Sequence, residues 1–425
     1  MLTKKIKQVN IFELSVILFI IFITLRPLTY SAGDFLVYIK GSKQILTGAP
    51  VYEINFAPFG TRFFNGPVWG YFLSPFTLLP NSLSLVLFRL ATLFASYYLV
   101  KRAINVFRRN ELMYMALFFL WFPFRMNMNL AQGAALSGAA ILFSATELKN
   151  KEIKFFKLLL CATLITFALN YKPLLATFFI MYLVITKKYK ILIYLSLLNT
   201  LIQLALIKWN NNASYFKWFQ LMLERNKRIN NGGNSNLVGT WALVAKKFSL
   251  TPMIISYASI LLCILIFCSF VYLKKFKFNF EISTLFASIG VLLGPYSPAQ
   301  DSLLLSLILI RSIRKKRDDL LSRFYMTSIS SFWSLSTEIS PTKSIFLIIA
   351  TSYVIYVLFQ SKSLATYHAV LGSTLLIITL ISRDEHINYD LAGIGSLLSC
   401  ILLLVTLFRG FPIKNRFNKS QSRFN

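Results

Sequence analysis

Residues 31–80 read SAGDFLVYIKGSKQILTGAPVYEINFAPFGTRFFNGPVWGYFLSPFTLLP, and this stretch decides the fold. It lies between two strongly apolar segments without being continuously apolar itself. An amphipathic run covers 35–46, Gly48 and Pro50 break it, Tyr52 follows, and Gly66-Pro67 opens a second apolar run. That is the pattern of a folded loop, not of a tether. Asp34 sits just past the first apolar segment, in a chain with 45 Lys and Arg against 15 Asp and Glu. An acid at that place is a candidate general base, weighed against a helix cap or a partner for a nearby lysine.

Composition bounds the class. With 56% hydrophobic residues, 16% aromatics and only 14% charged residues, the chain reads as an all-α polytopic membrane protein. The net charge of +30 falls in short basic clusters between apolar runs. Cytoplasmic loops of membrane proteins are built this way, so the expected surroundings are membrane lipids and no nucleic-acid partner is expected. The four cysteines, Cys161, Cys263, Cys268 and Cys400, lie inside apolar segments without metal-ligand spacing. Lys4, Lys5 and Lys7 precede an apolar run over 11–30 that is long enough to span and carries no small-residue cleavage site. It reads as a retained signal anchor with a cytoplasmic N-terminus.

Working outward, apolar segments fall at 82–100, 112–124, 129–146, 155–170, 173–186 and 191–208. Further ones fall at 252–273, 281–293, 302–313, 320–337, 343–359, 363–381 and 391–408. Together they imply an even count of roughly 12 to 14 transmembrane helices with both termini cytoplasmic. Two long external stretches result, 31–81 and 209–247, the second with asparagine-rich turns around a surface helix at 215–227. Lys40, Lys43, Arg62, Arg125, Lys172, Arg225, Lys227 and Arg228 fall on the outer side, where the positive-inside rule gives no reason for them; they are candidates to line an anion site. Arg89 lies within a helix and needs a partner or a wet cavity. Trp69, Trp121, Trp218 and Trp241 fit interfacial belts and sugar-stacking platforms equally.

Several of these residues resemble, in order, the motifs of the family-87 glycosyltransferases, the domain-of-unknown-function 2029 group. The matching positions in the first external loop are Asp34, Tyr38, Gly48, Ala49-Pro50-Val51-Tyr52, Gly66-Pro67, Ser74-Pro75 and Leu78-Leu79-Pro80. Asn129-Leu130-Ala131-Gln132 is similar to the family's Asn followed by Gly-Gln, with Ala131 in place of the glycine. Lys172-Pro173 resembles its Lys-Pro step, and Gly233-Asn234-Ser235-Asn236-Leu237 its Asn-Gln-Ser-Leu. Leu293-Gly294-Pro295-Tyr296-Ser297 resembles its Ser-Pro-hydrophobic-Ser turn, but Pro298, Ala299, Gln300 and Asp301 stand where Trp and His usually follow. The resemblance runs over about residues 10–310.

The resemblance implies a GT-C-class enzyme that takes a hexose, mannose above all, from a polyprenyl-phosphate donor to a lipid-linked or envelope glycan acceptor. The site would face the outside of the inner membrane. Such a transfer needs a base for the acceptor hydroxyl and cations for the departing phosphate. Inversion in one displacement needs only one carboxylate, so Asp34 suffices as the base. Lys172 and Arg125 are candidates for the donor phosphate, or else snorkel to headgroups. Gln132, Tyr52, Asn234, Asn236 and Asp301 are candidate donor or substrate contacts; Asp301 serves equally as a helix cap and the asparagines as turn formers. No cofactor beyond the lipid-linked donor is expected and no metal, since no His/Asp/Glu cluster has ligand spacing. The chain divides into a catalytic membrane region over 1–313 and a C-terminal region over 314–425. The alternatives are a non-enzymatic lipid or polysaccharide transporter and a family member that binds the lipid sugar without turnover.

Overall fold

A computed structural model describes residues 32–56, 61–104, 122–150, 152–227 and 303–304. Within them the regular elements are helical, and the one β-bridge pairs Phe56 with Thr61. The anchor at 11–30, the C-terminal region and most of the expected helix count lie outside the described residues, as do Trp121 and Trp241.

The stretch between the first two apolar segments is folded over its described residues, as its pattern requires. Helix α1, Gly33–Leu46, buries Phe35, Tyr38, Ile39, Ser42 and Ile45 along one face, at the three- and four-residue spacing of an amphipathic helix. It ends where Gly48 enters the left-handed region at φ 71. Gly48 N donates to Ile45 O at 3.3 Å and Ala49 N to Gln44 O at 3.0 Å, which satisfies carbonyls that the helix end leaves over. Helix α2, Pro67–Leu73, starts with proline at its first position, where no N–H is needed, and passes into a 3₁₀ turn at Ser74–Leu78.

Helix α3, Asn81–Ile104, is longer than its apolar segment and buries a stripe of Leu85, Phe88, Arg89, Thr92, Ser96 and Leu99. Next comes α4, Phe122–Leu130, then α5, Ala134–Glu147. Here the fold differs from the sequence reading, which starts a helix at residue 129. The chain instead finishes one helix at Leu130, turns through 131–133 and begins another. Helix α5 is rich in small residues (Ala134, Ala135, Ser137, Gly138 and Ala140 are buried), so α3 and α6 pack close against it.

Helices α6, Phe155–Tyr171, and α7, Pro173–Ile185, are separated by Lys172 alone. Lys172 is extended, with φ −146 and ψ 111, as the residue before a proline must be. Helix α8, Tyr189–Trp209, packs on α6 and α7 and exposes Ile193, Leu197, Leu201, Leu204 and Ile207. A stripe of that size is a lipid-facing surface. After a 3₁₀ turn at Asn211–Ala213 comes α9, Tyr215–Lys227, with the bounds its polar flanks imply. Helices α3 and α8 are long and apolar enough to cross a membrane, while α5, α6 and α7 are shorter apolar helices.

The connectivity sorts the bundle by charge. Lys101 and Arg102, the Lys149 turn and Lys188 fall at one end, where Lys188 Nζ donates to Leu148 O. Asp34, Gln132 and Lys172 fall at the other.

Trp69 fixes that second end. It is fully buried and its ring meets Tyr38, Phe72, Phe88, Phe167 and Tyr171 at centroid distances of 5.8, 6.0, 6.3, 5.0 and 4.7 Å. Four helices therefore share one side chain, and Trp69 is neither an interfacial anchor nor a stacking platform. Gly133 faces it so closely that a Cβ there would lie 2.1 Å from the indole. Gly133→Ala is expected to lower the thermal unfolding midpoint in detergent, at a cost of about 1–3 kcal/mol from overpacking a ring that has nowhere to go.

Candidate functional site

The 131–133 turn carries the site. Two devices hold it. Arg89, fully buried on α3, donates from Nε to Met128 O at 3.0 Å and from Nη2 to Asn129 O at 3.2 Å. The guanidinium thus meets the negative end of α4, which resolves the charge inside a helix as a carbonyl-capping cation. Gln132 N then donates back to Asn127 O at 2.8 Å, closing the turn.

Ala131, between them, lies at φ 51 in the left-handed region. This is the position where the resemblance expects glycine, and the backbone explains the expectation: only glycine adopts this conformation without a steric penalty.

Gln132 is nearly buried and makes three side-chain hydrogen bonds. Its Oε1 accepts from Tyr171 Oη at 2.7 Å and from Tyr38 Oη at 3.0 Å. Both lone pairs are then used, so Nε2 is the atom presented to Asp34 Oδ2, and it donates there. Asp34 and Tyr38 reach the same amide because they are four residues apart on α1. Asp34 is in the first turn of α1, whose N-cap is Ala32 with no side-chain cap bond. It is half-buried there, where the helix dipole favours a carboxylate.

Lys172 follows Tyr171 directly and its ammonium sits over that ring, 5.6 Å from the centroid. Asp34, Gln132 and Lys172, chosen separately in the sequence, are therefore joined through one tyrosine.

The neighbouring backbone is pinned from α6. Gly66 N donates to Asn170 O at 2.6 Å, Val68 N to Asn170 Oδ1 at 3.2 Å, and Asn65 Nδ2 to Tyr171 O at 2.8 Å. Asn170 Nδ2 also donates to Tyr215 Oη at 3.0 Å. Burial pushes the Tyr215 hydroxyl up to about 12, so it remains a neutral hydrogen-bonding group.

A strap formed by residues 210–218 lies over the 31–80 stretch. Asn210 Nδ2 donates to Ile45 O at 2.6 Å, Asn212 Nδ2 to Gly48 O at 2.8 Å and Trp218 Nε1 to Phe64 O at 2.9 Å. Trp218 is thereby a buried fastener. Lys217 adds an exposed pair with Glu53 at 3.1 Å, which contributes little.

Tyr52 is inside the loop core rather than beside Asp34 in any bond: its ring is 6.3 Å from Phe63 and its hydroxyl has no partner among the described residues. Burial, with Tyr215 and Tyr71 adding to it, pushes that hydroxyl well above the ordinary tyrosine range. Arg125 lies on α4, but its side chain is outside the described residues, as are Asn234, Asn236 and Asp301 entirely. Among the described residues no three His, Cys, Asp or Glu gather as metal ligands would.

Sequence reasoning missed Tyr171 and Asn170, and gave Tyr38 no role. The signals for the tyrosines were present, one beside the Lys-Pro step and one a helical turn from Asp34.

The chain is helical, has membrane-length helices, and holds an acid, an amide and a lysine together at the end opposite its basic clusters. Residues 63–294 match the family Glycosyltransferase family 87, more than half of the chain, and the chain belongs to that family; it is a glycosyltransferase. The match begins beyond Asp34 and Tyr52 and ends before Asp301. Among solved structures, the chain is similar to apo-state ArnT from Cupriavidus metallidurans, with 12% identity and a TM-score of 0.40 over 92% of this chain and 75% of that one. No curated protein matches the sequence.

Ala131→Gly is expected to raise stability by about 1 kcal/mol by relieving the left-handed alanine, read as a higher unfolding midpoint. Arg89→Met should cost about 3 kcal/mol by the same measurement, because two buried carbonyls lose their donor.

Proposed function

We propose that this membrane glycosyltransferase moves a hexose, mannose in the favoured case, from a polyprenyl-phosphate donor to a lipid-linked or envelope glycan acceptor. The observation that carries the reading is the linked set Asp34, Gln132, Tyr171 and Lys172. It unites a carboxylate with a lysine at one end of an apolar bundle. Family membership supplies the reaction class.

The step balances as a single displacement. Asp34 takes the proton of the acceptor hydroxyl as that oxygen bonds to the anomeric carbon. The bond from that carbon to the phosphate oxygen breaks, and the electron pair leaves with the polyprenyl phosphate. Configuration inverts, and one carboxylate is enough. Lys172 stabilises the phosphate as it departs, where a cation is worth most in a site shielded from water. Gln132 holds Asp34 toward the acceptor. Arg125, Asn234, Asn236 and Asp301 are the further proposed substrate contacts, while Tyr52, buried in the loop core, supports the loop from within. The chemistry needs no further cofactor.

The basic clusters at the opposite end support a cytoplasmic assignment for that end and an external site. The region over 1–313 would then be catalytic and 314–425 a C-terminal membrane region with a cytoplasmic tail.

The test is transfer from radiolabelled polyprenyl-phosphate mannose by purified protein in lipid nanodiscs containing envelope lipid extract. Asp34→Asn keeps the size and the hydrogen bond from Gln132 but removes the base, so kcat is expected to fall at least about a hundredfold. Wild-type turnover by Asp34→Asn would remove the base assignment, and transfer from other donors alone would remove mannose.

A further inference from the structure

Gln132 presents its amide nitrogen to Asp34 while its oxygen accepts from two hydroxyls, and Tyr171 supplies one of them. Reversed, the amide would set an oxygen lone pair against the carboxylate, which is repulsive for the ionised acid. The hydroxyls of Tyr38 and Tyr171 thus reinforce, from the oxygen side, the orientation that the carboxylate favours from the nitrogen side. Tyr171 does a second thing with a different part of itself. Its ring face, 5.6 Å from Lys172 Nζ, holds the ammonium of the next residue. The ring is itself fixed, packed 4.7 Å from the centroid of Trp69, and its backbone carbonyl accepts from Asn65 Nδ2 at 2.8 Å. A tyrosine so confined has few rotamers left, so its two ends move together or not at all.

We infer that Tyr171 is the positioning residue that links the two halves of the site, its hydroxyl orienting the Gln132 amide toward Asp34 and its ring orienting the Lys172 ammonium. The inference rests on the proposed roles of Asp34 as base and Lys172 as phosphate contact. It predicts that the two ends of one side chain control different kinetic constants. Tyr171→Phe removes the hydroxyl and keeps the ring; Tyr171→Leu removes both.

With full-length protein and polyprenyl-phosphate mannose as the probe, Tyr171→Phe is expected to lower kcat about tenfold, the effect of one hydrogen bond, with donor KM unchanged. Tyr38→Phe should do likewise, and the double Phe variant should lose more than either. Tyr171→Leu is expected to show the same kcat loss together with a donor KM raised about fivefold, the value of one cation–π contact. A second measurement needs no turnover. Carbodiimide labelling of Asp34, read by mass spectrometry at a fixed pH of about 6, should be about tenfold faster in the double Phe variant, because an amide held by neither hydroxyl no longer keeps its N–H fixed on the carboxylate and shielding it.

Unchanged labelling in the double Phe variant overturns the hydroxyl arm. Equal donor KM in Tyr171→Phe and Tyr171→Leu overturns the ring arm. Failure of the base reading is separate: it appears as turnover in Asp34→Asn, whatever the tyrosine variants do.

Discussion

One indole ring sets the terms for the rest of the described structure. Trp69 lies where α1, α2, α3 and α6 converge, and the turn after α4 must pass it with a residue that has no side chain. Apolar burial holds helices together without regard to rotation, but a large flat ring packed on five others admits one arrangement. Because Trp69 is fixed, Tyr38 and Tyr171 face each other across Gln132, and the polar site inherits its geometry from an apolar contact. The 31–80 loop is therefore the structural keystone of its end of the described bundle.

The polar groups are satisfied by reciprocal arrangements between distant segments. Arg89 answers the carbonyls at the end of α4, and Asn170 answers the N–H groups at the start of α2. Asn210 and Asn212 answer the carbonyls at the end of α1. In an apolar setting an unpaired backbone group is costly, and these three helix ends are each met by a side chain from another helix or loop. Pre-organisation of a carboxylate and an ammonium is the by-product.

How much of this the sequence disclosed depended on whether the deciding partner was local. Proline after Lys172 placed the break between α6 and α7, and the asparagine tracts bounded α9. The glycine at 48 marked the end of α1 by its own backbone freedom. The break at 131–133 stayed hidden because Ala131, not a glycine, takes the left-handed position and a single Gly133 is tolerated within helices; the carbonyls before the turn are held by Arg89, some forty residues away. Trp69 and Trp218 were ambiguous for the same reason, since burial of a tryptophan is a property of its neighbours. Asp34 was identifiable as an unusual acid, and its link to Gln132 followed from folding.

The strap over the 31–80 loop has a consequence for how the protein is made. Asp34 and its loop leave the ribosome early, yet the donors that hold Ile45, Gly48 and Phe64 belong to Asn210, Asn212 and Trp218. Several membrane segments must be inserted before those contacts can form. Until then the loop has its own Trp69 core to guide it but not its clasp, so Asp34 is held in its final place only after α8 and the turn that follows it have formed. Assembly of the site is thereby timed to the completion of the bundle beneath it.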